Sequence, residues 1–390
     1  MRRLGWFFAI VCVPLVCPAT PGVTAATAAT TTRKVVLERN GKGYRWKLTT
    51  APVPAVGDHQ VLIRVHAVAL NRGDLEILAP PPDAAGNGGV DENSGPGLSG
   101  RVVASDAAGD VLAVGSKVTT VKPGARVTST YLKNWTDGPP TREKLRDALG
   151  ASVNGVLADF VVLDDTSVAP FPASFTYEEA STLPTAGLTG WMAAVGRRPL
   201  HKGDVVLIQG TGGVSVFAMQ FAAASGGRIV MTSSSDDKLK KADSIAPHES
   251  INYKTTPQWS KRVYEFTQGH GADVVVDVGG KSTLEQSLRS LATGGTLSIV
   301  GGLTGYDGML PAGALIDTSA TVQGIFVGSR KDLERMEAFM VSHHVHPVID
   351  RAFSFEQFDE ALKYMAKGDF VGKIVVRVET SGSKSRRIPS

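Results

Sequence analysis

Residues 34–38, 44–49 and 61–69 alternate between apolar and polar or run apolar, with Gly and Pro between them, a pattern that predicts strands. Further short strands are predicted at 100–104, 111–114, 125–130 and 158–163. The polar stretch 131–154 reads as a lobe or lid over a cleft, with a short helix at 141–149 after Pro139 and Pro140. From Tyr177 the period turns helical, with Thr176 as the cap and Glu178 and Glu179 in the first turn. Strands at 205–208, 229–232, 274–278 and 296–300 then alternate with helices at 214–224, 236–243, 282–291 and 331–343. Such alternation predicts a parallel, doubly wound sheet. A helix at 355–367 and a strand at 372–378 lead back to the strand-rich part. The expected class is therefore α/β: a β-rich domain at 33–165 completed by 340–379, a doubly wound domain at 166–339, and a tail at 380–390.

The strand predicted at 205–208 breaks into Gln209, Gly210, Thr211, Gly212, Gly213, Val214 and Ser215, a glycine turn that opens a helix. Glycines there permit a tight turn and let backbone N–H groups approach a pyrophosphate, which the N-terminus of the next helix favours. Such a turn alone is a weak signal, but a second strand follows one helix later, as a βαβ unit requires. The third position, where glycine favours close helix packing, is Ser215.

The chain has 390 residues, 41 basic and 37 acidic, so its net charge of +4 points to no polyanionic partner such as nucleic acid. Arg2 and Arg3 precede an apolar run at 6–16, and Ala-Thr-rich sequence follows; residues 1–26 read as a secretory signal peptide, implying export, with a cytoplasmic location as the alternative. That run is too short to span a bilayer, which takes roughly 20 residues. Cys12 and Cys17 both lie within the signal-like residues 1–26, leaving the mature chain without a thiolate or a disulfide.

The segments 69–74, 183–191, 209–215, 251–253 and 372–376, in this order and spacing, resemble the medium-chain dehydrogenase/reductase superfamily, and more narrowly its zinc-independent, alcohol dehydrogenase-like and quinone oxidoreductase-like branch. The resemblance implies a GroES-like substrate domain and a Rossmann cofactor domain. Zinc members place a cysteine where Asn71 stands, a histidine-glutamate pair where Ser105 and Asp106 stand, and a cysteine or aspartate where Thr185 stands. One carboxylate does not make a zinc site, and the lobe has no cysteine, so no zinc is expected. His343, His344 and His346 read as a surface cluster.

At the end of the second strand of the unit, where NAD-specific sites place an acidic side chain, stand Ser233, Ser234 and Ser235, with Lys238 nearby. Hydroxyls and an ammonium suit a 2'-phosphate, so NADPH is favoured over NADH. The alternative is that the serines merely cap the next helix and Asp236 or Asp237 reads the ribose. The resemblance adds Tyr253 beside the adenosine phosphate, and Thr189, Gly301, Phe326, Gly328 and Lys373 along the dinucleotide. The candidate catalytic residues are Asn71, Asp74, Tyr131 and Thr185, with Asn71 as the foremost donor to a substrate oxygen. Asn71 and Asp74 are alternatively bonded to the backbone of their own turn. The expected activity is metal-free, NAD(P)H-dependent hydride transfer to or from a small carbonyl, quinone or α,β-unsaturated carbonyl; the alternative is a nicotinamide-nucleotide-binding protein without turnover. Leu303, Phe326 and the lobe are expected to shape the pocket, and the apolar strand at 321–327 to pair two copies through their Rossmann sheets.

Overall fold

The computed structural model describes residues 30–79 and 98–378; the predicted signal segment and tail lie outside the described residues. In chain order the first domain contains β1 (Thr31–Asn40), β2 (Gly43–Pro52), β3 (Gln60–Ala69), α1 (Arg72–Glu76), β4 (Asp106–Val114), β5 (Arg126–Ser129), β6 (Phe160–Asp164) and β7 (Val168–Pro170). A helical stretch follows, with α2 (Tyr177–Ser181) and α3 (Leu188–Trp191). The second domain is β8 (Val205–Gln209), α4 (Gly213–Ala224), β9 (Arg228–Ser233), α5 (Asp236–Ala242), β10 (Glu249–Asn252), α6 (Trp259–Phe266), β11 (Ala272–Asp277), α7 (Leu284–Arg289), β12 (Leu291–Ile299), α8 (Ala312–Thr318), β13 (Thr321–Gly324) and α9 (Arg330–Ser342). The chain then returns through β14 (Ile349–Ser354), α10 (Phe358–Lys367) and β15 (Lys373–Arg377).

The second domain's sheet runs β10-β9-β8-β11-β12-β13, and every neighbouring pair in it is parallel. The strand order reverses between β8 and β11, and the crevice at the carboxyl ends of those strands is where an open α/β sheet binds its ligand. β8 is buried along its whole length, as a strand covered by helices on both faces must be. β15 lies between β14 and β3 in the first domain's sheet, so the last strand closes that domain as the sequence pattern predicts.

Two predicted elements differ. Residues 141–149 form turns rather than a helix, because Asp147 and Leu149 are drawn back to the start of the lobe: the Lys133 amide donates to the Asp147 carbonyl at 2.9 Å, and that of Leu149 to the Tyr131 carbonyl at 3.0 Å. Residues 101–103 lie beside β1 through a single bridge, Val36 to Val102, rather than as a ladder strand. The short β7, β10, β14, α6 and α8 were outside the predicted pattern.

The capping box predicted at Thr176 is present: its hydroxyl accepts from the Glu179 amide at 3.1 Å, and its own amide donates to the Glu179 carboxylate at 2.8 Å. The helical run continues past α2 through π-type turns at Leu183–Gly187 and Met192–Gly196. Such turns shift the backbone register and are frequent at functional sites.

Within the core that packs on α9, Glu337 is buried and its Oε1 has no partner among the described residues. Burial pushes its carboxyl up to about 8, with Glu334 adding to the rise. The folded state therefore binds the proton more tightly than the unfolded chain. This group's contribution is fully present below its ordinary carboxyl range and is lost as pH climbs through about 8. E337Q removes that slope. Urea denaturation at pH 5 and pH 8 is expected to show wild type losing roughly 3 kcal/mol more than E337Q between the two; equal losses would contradict the assignment.

Candidate active site

The site is assembled around Asp106, the first residue of β4 and wholly buried. Its Oδ1 accepts from the Ser105 hydroxyl at 2.6 Å and from the Thr185 hydroxyl at 2.6 Å. Its Oδ2 accepts from Asn71 Nδ2 at 3.0 Å and from the Thr185 amide at 3.1 Å. Four donors thus fill both oxygens of one carboxylate, which an ionised carboxyl accommodates. Thr185 sits in the first π-type turn, and its amide donates out of the helix to Asp106. Just before Ser105, Ala104 holds a left-handed backbone with φ +62°. A non-glycine residue there costs about 1–3 kcal/mol and persists only where its surroundings enforce it.

Asn71 precedes α1, and its amide donates to the Asp74 carboxylate at 2.7 Å. Asp74 therefore bonds its own turn, one of the alternatives open from sequence. The Asn71 side chain instead joins the network. Lys373 Nζ donates to Asn71 Oδ1 at 2.7 Å, and Asn71 Nδ2 reaches Asp106 and, at 3.3 Å, Ser105 Oγ. The chemistry fixes the orientation, since an ammonium only donates and a carboxylate only accepts. The Asn71 Nδ2 group consequently donates inside the protein, to Asp106 and Ser105. This corrects the expectation that Asn71 is the foremost donor to a substrate oxygen. The Thr185 hydroxyl is likewise committed to Asp106.

Burial dominates the electrostatics of the pair next to Asp106. It pushes the Asp74 carboxyl up to about 7, with the Asp106 charge adding and the Asn71 amide and Lys373 opposing. It pushes the Lys373 ammonium down to about 8, with Asp106 and Asp74 opposing. Tyr131 is pushed up to about 12, again chiefly by burial and then by the charges of Asp106 and Asp74. Its hydroxyl makes no hydrogen bond among the described residues. The Tyr131 ring meets Phe326 edge-on at 5.9 Å, and Phe326 is itself exposed, as is Leu303. Next to Phe326, Val327 holds φ +56°, a second enforced strain at the cleft.

The glycine turn lies as the sequence predicts. Gly210 has φ +72°, which only glycine adopts freely, and α4 begins at Gly213. A side chain on Gly212 would meet open space, the room a pyrophosphate needs beside the helix N-terminus. Ser215 closes the turn by donating to the Gln209 carbonyl at 2.7 Å. The close helix approach served by glycine elsewhere falls here to Gly190 of the preceding helix, where a Cβ would stand 2.8 Å from the Val214 carbonyl oxygen. Thr189, beside Gly190, is buried. A Cβ on Gly301 would come within 3.1 Å of the Val278 carbonyl oxygen, and one on Gly328 within 3.0 Å of Leu188, so packing alone explains glycine at Gly328.

At the end of β9 the hydroxyls of Ser233 and Ser234 make no hydrogen bond among the described residues, and Tyr253 stands beside them, its amide donating to the Ser233 carbonyl at 3.0 Å. Ser235 caps α5, while Asp236 lies in its first turn and accepts from Asn252 at 3.0 Å. Lys238 donates to the Gly368 carbonyl at 2.8 Å, so its ammonium is already engaged by the returning segment of the first domain.

Sequence reasoning missed two features. Asp106 is the hub of the site, and Lys373 belongs to its network rather than only to a nucleotide site. A lysine opening a strand of apolar residues (Ile374, Val375, Val376) was the available sign of a buried cation.

The alcohol dehydrogenase GroES-like domain family matches residues 57–173, and the zinc-binding dehydrogenase family matches residues 213–342. A zinc-type alcohol dehydrogenase-like protein of Schizosaccharomyces pombe is 35% identical over 331 residues, spanning 82% of this chain and 91% of that protein. The chain belongs to the medium-chain dehydrogenase/reductase superfamily. A structure from Sinorhizobium meliloti 1021 assigned as an alcohol dehydrogenase superposes with a TM-score of 0.81 at 37% identity, covering 90% of this chain and 99% of that one. An NAD-dependent alcohol dehydrogenase superposes with a TM-score of 0.76 at 29% identity, covering 89% of this chain and all (100%) of that one. The two family matches fall one on each domain, as the α/β reading with a GroES-like and a Rossmann part requires.

Zinc needs three or four convergent thiolate, imidazole or carboxylate ligands. The positions of this oxidoreductase that correspond to them by sequence hold a carboxamide, two hydroxyls and one carboxylate whose acceptor sites are already filled. This donor set does not fit zinc. Among the described residues no cluster of three or more His, Cys, Asp or Glu side chains is arranged to hold a metal, and no helix is long and apolar enough to cross a membrane.

Proposed function

We propose that this family member is an NADPH-dependent, metal-free reductase of a small carbonyl, quinone or α,β-unsaturated carbonyl. The observation that supports the reading is the closed network on Asp106, at positions the family resemblance gives to metal ligands, together with a buried Tyr131 whose hydroxyl is unengaged among the described residues. NADPH, when bound, supplies the hydride. The turn from Gly210 to Val214 and the N-terminus of α4 offer backbone donors for a pyrophosphate. Ser233, Ser234 and Tyr253 offer hydroxyls for the adenosine phosphate, with Lys238 close by. The uncommitted hydroxyls favour the 2'-phosphate over the alternative in which Asp236 reads the ribose, since Asp236 is paired with Asn252.

Without a Lewis acid, an acceptor oxygen needs a hydrogen-bond donor in a site shielded from water. The Tyr131 hydroxyl fills that role. Burial keeps it protonated at neutral pH, and it releases its proton only to a strongly basic centre such as the oxyanion left after hydride addition. The Asp106 network holds the cleft wall rigid, and Phe326 packs against the Tyr131 ring to hold it in place.

β13 is the outer strand of the Rossmann sheet and Val322 on it is exposed, which favours pairing of two copies there. V322K is expected to convert a dimer into a monomer in sedimentation at fixed concentration; a wild-type monomer would contradict this.

NADPH oxidation at 340 nm against a panel of quinones, enones and aldehydes tests the function. Turnover with NADPH exceeding that with NADH is expected for at least one class, and Y131F is expected to lose about 10²-fold in kcat with little change in NADPH affinity. Tight NADPH binding with no turnover anywhere in the panel would sink the reductase reading in favour of a nucleotide-binding role.

A further inference from the structure

Lys373 stands at the junction of the two halves of this site. Its side chain is nearly fully buried, with 3% of its surface exposed, and it opens β15 in the first domain. Its stem crosses the glycine turn of the second domain so closely that a Cβ on Gly213 would lie 2.4 Å from Lys373 Cδ. Its ammonium continues past the turn to the Leu70 carbonyl and Asn71 Oδ1. The backbone before it is stitched to the same turn. The Gly372 amide donates to the Thr211 carbonyl at 3.0 Å, and the Thr211 hydroxyl donates to the Phe370 carbonyl at 3.2 Å. Gly372 holds φ +98°, and a Cβ there would come within 2.4 Å of the Val348 carbonyl oxygen, so the strand start has no freedom to move away.

We propose that Lys373 is a positioning residue that couples the dinucleotide turn to the Asp106 network, its stem seated on Gly213 and its ammonium holding Asn71. The assignment rests on the reductase reading for its purpose but on geometry for its existence. Two buried carboxylates, Asp74 and Asp106, flank Asn71, and Lys373 is the cation that offsets them. A charge buried among such groups is tolerated only while its partners stay in register. Ordering the turn around a bound nucleotide therefore also orders Lys373, Asn71 and the wall beside Tyr131. Loosening the network in turn loosens the turn, since coupling between two sites is reciprocal.

A double-mutant cycle read by equilibrium fluorescence titration of NADPH and NADH tests this. K373M is expected to raise the NADPH dissociation constant about tenfold and N71A about threefold, while the double variant is no worse than K373M alone. K373R keeps a cation on a stem of similar reach and is expected to restore binding to within about threefold, with N71A costing the same in that background as in wild type. Additive losses in K373M/N71A would overturn the coupling. So would binding unaffected by N71A. Thermal unfolding of each variant separates folding from binding: a K373M that does not fold leaves the decision to K373R and N71A, where loss of binding in K373R equal to that in N71A/K373R overturns the proposal. The readout is binding rather than turnover. A panel without turnover thus removes the reductase reading while the cycle still decides the role of Lys373; absence of binding to either nucleotide removes both.

Discussion

One buried carboxylate organises this protein's cleft. Asp106 accepts from Ser105 next to it, from Asn71 at the end of β3, and twice from Thr185 in the helical run that leads into the Rossmann domain. Charged acceptors make hydrogen bonds roughly twice as strong as neutral ones, and an uncompensated carboxylate at this depth would be costly. The arrangement therefore joins the helical run to the first domain's sheet through one carboxylate. Lys373 extends the same network past the glycine turn, so the first domain's last strand, Asn71 and that turn are held in one set of contacts.

Backbone strain follows the same logic. Ala104 precedes Ser105 and Asp106, and Val327 follows the Phe326 ring that braces Tyr131; both hold left-handed conformations that neither side chain favours. Strain of this kind is retained where the packing around it over-determines the chain. Here the two positions flank the Asp106 carboxylate and the Phe326 ring.

Much of this was legible in sequence because the signals are local. The alternation of short apolar strands with helices gave the doubly wound sheet, Thr176 and Glu179 gave the capping box, and Gly210 to Gly213 gave the turn. Residues 141–149 misled because helix signals after two prolines were outweighed by pairing with residues 131–133, which is a tertiary contact. Asn71 and Thr185, read from sequence as substrate-facing groups, bond to Asp106 inside the protein. Whether an amide faces substrate or protein depends on what lies opposite it, and Lys373 and Asp106 lie 302 and 35 residues away in the chain. Ser215 shows the converse: a departure from the glycine pattern that sequence left as a packing variation is a hydrogen bond closing the turn, with the close packing moved to Gly190.

We infer that hydrogen bonds on Asp106 stand in place of a zinc site in this chain. Elemental analysis of the purified full chain, before and after dialysis against a chelator and after incubation with excess zinc, tests it most directly. Well under one zinc per chain, roughly 0.1 or less, is expected in all three preparations, with unchanged NADPH-dependent reduction. One tightly held zinc per chain, with activity lost on its removal and restored on its return, would contradict it.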